Sequence, residues 1–122
     1  MTEELAWAAG LFDGEGTIGV RKNGTTEAYR RIGASVGMTE RFVVERFAKA
    51  VGIGKFYDHS YKQSKYPNAK PVWRWAVHNF EDTKTMVERL WPWLSEPKRA
   101  QARKALDAYA AYPHRRPRAR TM

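Results

Sequence analysis

The chain has 122 residues, a formal net charge of +9 and no cysteine. This length allows one compact domain with a buried core but not two independent ones, and the lack of cysteine excludes a disulfide framework and a thiolate zinc site. The positive charge favours a polyanionic partner, because each lysine or arginine that neutralises a phosphate releases condensed counterions, although a soluble basic protein without such a partner is the alternative.

The N-terminal segment predicts a helix over residues 3 to 15. The apolar run inside it is too short and too rich in glycine for a signal or membrane segment, so we expect a cytoplasmic protein without a membrane partner. The helix has no polar stripe, and a helix that is apolar on all sides must be covered on all sides.

Two faces of this helix differ in character. Apolar side chains at helical spacing form the first face, which comprises Leu5, Ala8, Ala9 and Phe12. Small residues recur at every fourth position on the second face, at Ala6, Gly10 and Gly14, where another backbone can approach closely. Because a sheet within one short domain covers only one face, the second face predicts contact with another copy of the chain.

A hairpin is predicted after the first helix. Its strands extend from Thr17 to Lys22 and from Tyr29 to Met38, with Asn23-Gly24 as the turn signal between them. A helix from Glu40 to Val51 follows, for which Thr39 is the expected N-cap. Its predicted apolar stripe consists of Phe42, Val43, Phe47, Ala50 and Val51.

The second half of the chain predicts another hairpin, with strands over residues 53–61 and 72–78 and a polar, basic loop over residues 62–70. An amphipathic helix over residues 83–93 comes next, and a last helix continues to about Tyr112. Alternation places the tryptophans Trp73 and Trp75 on one side of the fourth strand, and we expect both, like Trp91 and Trp93, to belong to the core.

The element order α-β-β-α-β-β-α-α indicates an α+β fold with an antiparallel sheet covered by helices on one face. A single domain is expected over residues 1–112. Residues 113–122 are expected to form a basic, disordered tail.

The segment Ala8 to Gly16 has the sequence AAGLFDGEG. It resembles the nine-residue signature of the LAGLIDADG homing endonucleases, because two glycines and two acids fall at the family's positions with apolar residues between them. Trp7 and Thr17-Ile18 continue the likeness beside the motif. The element order and residues 51–54 and 90–94 extend it to about residues 4 to 110.

The resemblance implies a site-specific, metal-dependent endonuclease that cuts double-stranded DNA as a homodimer on a pseudo-palindromic site. In the family the motif helices of two subunits pack together, which implies a dimer interface at Ala6, Gly10, Asp13 and Gly14 of this sequence. The penultimate acid of the motif, here Glu15, binds a divalent cation beside the scissile phosphates. A hard cation such as Mg²⁺ or Mn²⁺ takes oxygen ligands, and the Gly14 carbonyl is the second one implied.

Each of the two acids has an alternative interpretation. Glu15 is otherwise an exposed carboxylate at the end of a helix, which the helix dipole disfavours unless a cation lies nearby. Asp13 is either part of the helix interface or a solvated or capping acid, and we do not assign it a catalytic role.

The concave sheet face straddles the major groove in the family. Strand alternation sends to this face the side chains of Arg21, Tyr29, Arg31, Ser35, Arg74 and His78. The arginines are candidates for reading guanine edges, whereas phosphate contacts are expected from Lys22, Lys55, Lys62, Lys65 and Lys70. A solvated surface cation is the alternative for each of them.

Two positions on this face bear on the chemistry that the resemblance implies. Ser35 falls near the position where relatives place a polar side chain that organises the attacking water. His78 or Asn79 lies where some relatives carry a lysine, and this sequence departs from that version.

Two other functions compete with the endonuclease. One is a DNA- or RNA-binding relative that does not cleave, such as a maturase or a regulator on the same fold. The other is a basic structural protein that coats nucleic acid through the last helix and the tail, where 8 basic residues face 2 acidic ones after residue 94. An acid at Glu15 argues weakly against the first, and the second leaves both Glu15 and the glycine-lined face unexplained.

Overall fold

The computed structural model describes residues 2–22, 30–58 and 71–111. In chain order the elements are α1 (Thr2–Glu15), β1 (Gly16–Lys22), β2 (Arg30–Met38), α2 (Arg41–Val51), β3 (Lys55–Asp58), β4 (Trp73–Val77), α3 (Phe80–Leu90), a 3-10 turn (Trp91–Trp93) and α4 (Glu96–Ala111). The predicted α+β class and element order are confirmed. None of the described helices is long and apolar enough to cross a membrane.

Some predictions fall outside the described residues. They concern the turn at Asn23-Gly24, the side chains of Lys22, Tyr29, Lys62, Lys65 and Lys70, and the tail at 113–122.

The strands form one sheet in the order β1-β2-β4-β3, and every neighbouring pair is antiparallel. Alternate residues point to opposite faces of a strand. On one face Val36 and Trp75 are fully buried against the helices, as the predicted alternation requires. The other face carries Ser35 and Arg74 and is not covered by any helix within the described residues.

Aromatic side chains join the helices to the sheet. The Phe47 ring of α2 lies 6.2 Å from the Phe12 ring of α1 and 4.8 Å from the Trp75 ring of β4. The Trp75 indole N–H donates to the Ile53 carbonyl at 2.8 Å, so the buried tryptophan leaves no polar atom unsatisfied. This cluster fixes the direction in which α1 runs toward the sheet.

Gly16 connects α1 to β1 beneath the Phe12 ring. A Cβ atom at Gly16 would overlap that ring, and no flexible end of a side chain is available to yield. We expect Gly16→Ala to lower the free energy of unfolding by about 1–3 kcal/mol, the usual cost of overpacking a core. Chemical denaturation followed by circular dichroism measures this difference.

Gly19→Ala is the matched control for that variant. Gly19 lies on the same strand, but a Cβ there meets no atom within 4 Å. Equal destabilisation by the two substitutions would contradict the packing that we describe between Phe12 and Gly16.

The beginning of α2 differs from the prediction. The helix begins at Arg41 with Glu40 as its N-cap and no side-chain cap, so the expected Thr39 cap is wrong. Its buried residues are Val44, Phe47 and Val51, which share one face at a spacing of three and four. Phe42 lies off that face and is 79% exposed, so its place in the predicted stripe is wrong.

The boundaries around α3 also differ. The helix begins at Phe80, three residues earlier than predicted, because the Asn79 side chain accepts the Asp82 N–H at 2.8 Å and caps it. It ends at Leu90, and Pro92 lies in a separate 3-10 turn. Trp75 is buried as expected, whereas Trp93 is 37% exposed and does not belong to the core.

Candidate functional site

Two acids lie near the C-terminal end of α1, and their surroundings differ. The Ser95 backbone N–H, just before α4, donates to Asp13 at 3.0 Å to Oδ1 and 3.2 Å to Oδ2. Glu15 is exposed and makes no hydrogen bond or ion pair in the described part of the chain. Asp13 is thus engaged within the chain, and Glu15 is the acid free to bind an external cation.

A buried lysine lies beside this end of the helix. The last turn of α1 contains no basic residue, and the last carbonyls of a helix lack partners inside it. Lys98 of α4, only 9% exposed, donates from Nζ to the Gly16 carbonyl at 2.9 Å and to Gln101 Oε1 at 3.2 Å. A positive charge is therefore fixed at the residue that follows Glu15.

The Lys98 ammonium has an unusual environment for a lysine. Its nitrogen lies 5.5 Å from the centre of the Phe12 ring, and no carboxylate of the described residues lies within ion-pair distance of it. A buried ammonium without a carboxylate is costly unless a negative group approaches it. The sequence-based prediction missed Lys98. The available signal was its position on the same helical face as Ala102 and Ala105, both buried.

A chain of polar side chains crosses the open face of the sheet. Thr17 Oγ1 lies 3.2 Å from Ser35 Oγ, and Arg74 Nη1 donates to Ser35 Oγ at 3.2 Å. A Cβ at Gly37 would lie 3.4 Å from Arg74 Nη2, so the glycine leaves room for the guanidinium to lie on the strand. Ser35 and Gly37 together hold Arg74 in one position.

Most of the predicted face residues line one groove of about 470 Å³, namely Arg21, Arg31, Ser35, Arg74 and His78. Tyr57 of β3 was not predicted here, although its hydroxyl lies 3.2 Å from His78 Nε2. Lys55 is exposed on β3 but does not line this groove. The hydrogen-bonded pairs Ser35–Arg74 and Tyr57–His78 therefore form a polar, cationic surface together with Arg21 and Arg31.

The outer face of α1 is not covered by any of the residues that the structure describes. Ala8, Ala9 and Phe12 are buried, whereas Gly10 and Gly14 are exposed and a Cβ at either meets no atom within 4 Å. Ala6, on the same side as the two glycines, is half-buried. The face of α1 with Ala8, Ala9 and Phe12 is thus packed against the core, and the face with Gly10 and Gly14 is open.

An ion pair fastens α1 to α2 at the opposite end of the helix. Arg46 donates to Glu4 from Nε at 3.0 Å and from Nη2 at 2.9 Å, and its guanidinium lies 4.0 Å from the Trp7 ring centre. The hydrogen bond lowers the pKa of Glu4 and raises that of Arg46. Its contribution to stability is present above the ordinary pKa of glutamate and lost on acidification. Both groups are exposed, so this contribution is small.

Comparison with solved structures identifies the architecture. The chain superposes on the homing endonuclease I-CvuI in complex with DNA with a TM-score of 0.72 and 24% identity, over 92% of this chain and 69% of that one. For the archaeal intron-encoded homing endonuclease I-Vdi141I complexed with DNA the TM-score is 0.68 at 15% identity, over 89% and 70%. The chain has the LAGLIDADG homing endonuclease fold. No protein-family model and no curated protein matches the sequence.

The size of this LAGLIDADG fold fits the single-motif type. On the LAGLIDADG meganuclease I-AabMI bound to uncleaved DNA, the chain covers only 36% of that protein, with a TM-score of 0.65 and 17% identity. The resemblance carried by residues 8 to 16 is confirmed at the level of the fold.

The donor set at the end of α1 fits a hard divalent cation only in part. Glu15 supplies a free carboxylate, and Gly14 lies in the last helical turn, where carbonyls lack helical partners. Both are oxygen ligands of the kind that Mg²⁺ and Mn²⁺ take. The described residues of one chain contain no group of three or more metal-ligating side chains. A cation at Glu15 therefore needs further oxygen ligands from outside this chain.

Proposed function

We propose that the chain is a site-specific DNA endonuclease that depends on a divalent cation and acts as a homodimer. The observation that carries the proposal is the position of Glu15. In the chain, this exposed residue lies between Gly14 of the open glycine face and Gly16, whose carbonyl accepts from Lys98, and Thr17 of the groove follows directly. The solved structures of the same fold include complexes with DNA.

A second copy would complete the site. Close contact through Gly10 and Gly14 of two α1 helices would bring the two Glu15 carboxylates together across a two-fold axis. Two carboxylates and a phosphate oxygen are a sufficient donor set for Mg²⁺, which keeps its remaining waters. Cutting both strands requires one scissile phosphate on each side of the two-fold axis, each beside one copy of Glu15, so the DNA target of the dimer is pseudo-palindromic.

The residues of the chain have separate tasks in phosphodiester hydrolysis. A bound divalent cation supplies Lewis acidity and lowers the pKa of water. Glu15 and the Gly14 carbonyl would hold that cation. Lys98 stabilises negative charge that develops on the phosphate, and it does so strongly because it is buried from water. Ser35, held between Thr17 and Arg74, orients water and DNA at the groove.

The contacts of α4 argue against a nonspecific coat protein. Arg103 pairs with Glu96 at 2.7 Å, and Arg99 donates to the Trp91 carbonyl at 3.1 Å. These arginines hold α4 to its surroundings and do not form a free basic stripe. Among the described residues, Arg21 and Arg31 are exposed on the open sheet face and line its groove.

Cleavage of a DNA library tests the proposal. We expect the purified chain with Mg²⁺ to cut both strands of a preferred pseudo-palindromic site, and chelation by EDTA to stop the reaction. A maturase or regulator would bind DNA or RNA without cutting, and a coat protein would show no sequence preference. Sequencing of cut ends distinguishes these outcomes, and binding without cleavage in Mg²⁺ and Mn²⁺ would contradict the enzyme.

A further inference from the structure

The open face of the β1-β2 ladder carries three rows of directly opposed residues. In the register of the two strands they are Thr17·Ser35, Gly19·Gly33 and Arg21·Arg31. Successive rows lie two residues apart, or about 7 Å along the strand. The polar row is nearest to Glu15, the arginine row is farthest from it, and the row between them has no side chain.

The two arginines of the outer row stand directly opposite each other. Residues in such a cross-strand pair have Cβ atoms about 5 Å apart, and like charges there destabilise the sheet. Arg21 and Arg31 are both exposed, and neither makes a hydrogen bond or ion pair with a described residue. On the sheet face their neighbours are Gly19, Gly33 and His78, none of them acidic. No acid among the described residues offsets the repulsion within this pair, whereas an acceptor-rich or anionic ligand would.

We propose that Arg21 and Arg31 read two neighbouring guanines in each half of the DNA target, and that the Gly19·Gly33 row leaves the adjacent base pairs toward the dimer centre unread. This inference rests on the proposed function. A guanidinium fork fits the O6 and N7 acceptors of guanine, and two long arginine side chains whose Cβ atoms are about 5 Å apart can reach stacked base pairs about 3.4 Å apart. Both arginines line the groove that also contains Ser35 and Arg74.

The two glycines of the bare row have different reasons to be glycine. A Cβ at Gly33 would lie 2.6 Å from the Val77 carbonyl oxygen, so packing of β2 against β4 excludes a side chain there. A Cβ at Gly19 meets no atom within 4 Å. Packing therefore requires glycine at position 33 of β2, whereas position 19 of β1 has room for a side chain. A side chain at Gly19 would reach the base pairs that the glycine row leaves without a contact.

Selection of bound sequences from a random DNA library tests the assignment. We compare the wild-type chain, Arg21→Gln, Arg31→Gln and the control Lys84→Gln, which removes the same charge from an exposed residue of α3 paired with Glu88. Wild type should select two adjacent guanines in each half-site, with unselected positions beside them toward the centre. Each arginine variant should lose about tenfold to hundredfold discrimination at one guanine. Its melting temperature without DNA should stay equal or rise, because the like-charge repulsion is removed.

A gain of specificity provides a second measurement. Gly19→Asn adds an amide that pairs with adenine, and it should create an adenine preference at a position that wild type leaves unselected. If a folded Gly19→Asn protein shows no new base preference, the proposal that the Gly19·Gly33 row leaves base pairs unread is wrong. Both arginine variants could instead lose affinity equally on all DNA sequences and show a shallower salt dependence of binding. That result would mean that Arg21 and Arg31 contact phosphates, and it would overturn the guanine assignment.

The result for wild type separates this inference from the proposed function. A wild-type protein that cuts a preferred site lacking the paired guanines overturns the inference alone. A wild-type protein that binds no DNA overturns both.

Discussion

Glu15→Gln is expected to abolish DNA cleavage and to leave DNA binding within a few-fold of wild type. The amide keeps the size of the carboxylate but loses the charge that a divalent cation requires, so we expect a fall in cleavage rate of more than about a hundredfold. Glu15 has no partner within the described residues, so the substitution leaves the fold intact. Single-turnover cleavage of a labelled duplex and a gel-shift titration measure the two quantities.

Glu3→Gln is the matched control for Glu15→Gln. It removes one exposed carboxylate from the opposite end of the same helix, where no site is proposed. Cleavage by this variant should equal that of wild type. Cleavage by Glu15→Gln at the wild-type rate would remove Glu15 from the mechanism, and loss in both variants would point to overall charge instead.

The open face of the sheet could be predicted from local patterns. Strands that bury one face alternate with a period of two, and a shift by one residue would expose every buried side chain. Val36 and Trp75 therefore determine the side to which Ser35 and Arg74 point. The hydrogen bond between these two polar residues depends on how β2 and β4 pair, which no pattern within either strand specifies.

Contacts between distant parts of the chain were not predictable in the same way. Lys98 and Ser95 reach Gly16 and Asp13 across 82 residues. Their partners depend on where α4 crosses the end of α1, and this crossing follows from packing of the whole domain. The assignment of Asp13 stayed open for the same reason, since its sequence neighbours do not show which backbone N–H approaches it.

The apolar composition of α2 was a poor guide to its buried face. Phe42 has the larger apolar side chain, yet Val44 is buried and Phe42 is 79% exposed. The face of a helix that packs depends on its rotation about its axis, which Phe47 sets through its contact with Trp75. One strongly packed residue thus outweighs the hydrophobicity of its neighbours.

Gly10→Leu is expected to convert the proposed dimer into a folded monomer that does not cut DNA. A Cβ at Gly10 meets no atom of the described residues within 4 Å, so the leucine side chain has room on this side of the helix. Replacing glycine inside a helix also favours the helix by about 0.8–1 kcal/mol. Two helices that meet at a glycine face cannot approach closely once a leucine stands there. Sedimentation equilibrium should give the mass of one chain, and circular dichroism should show unchanged helix content.

Ala9→Leu is the informative contrast, because it makes the same side chain one residue away. Ala9 is fully buried against the core, so that variant should lose stability by about 1–3 kcal/mol, whereas Gly10→Leu should not. The two variants distinguish the packed face of α1 from the open one by two independent measurements, the free energy of unfolding and the mass in solution. A Gly10→Leu protein that remains dimeric and cuts DNA would place the interface elsewhere. A wild-type mass of one chain at micromolar concentration would leave Glu15 without its symmetry mate, and the cation would then have to take its other ligands from DNA and water.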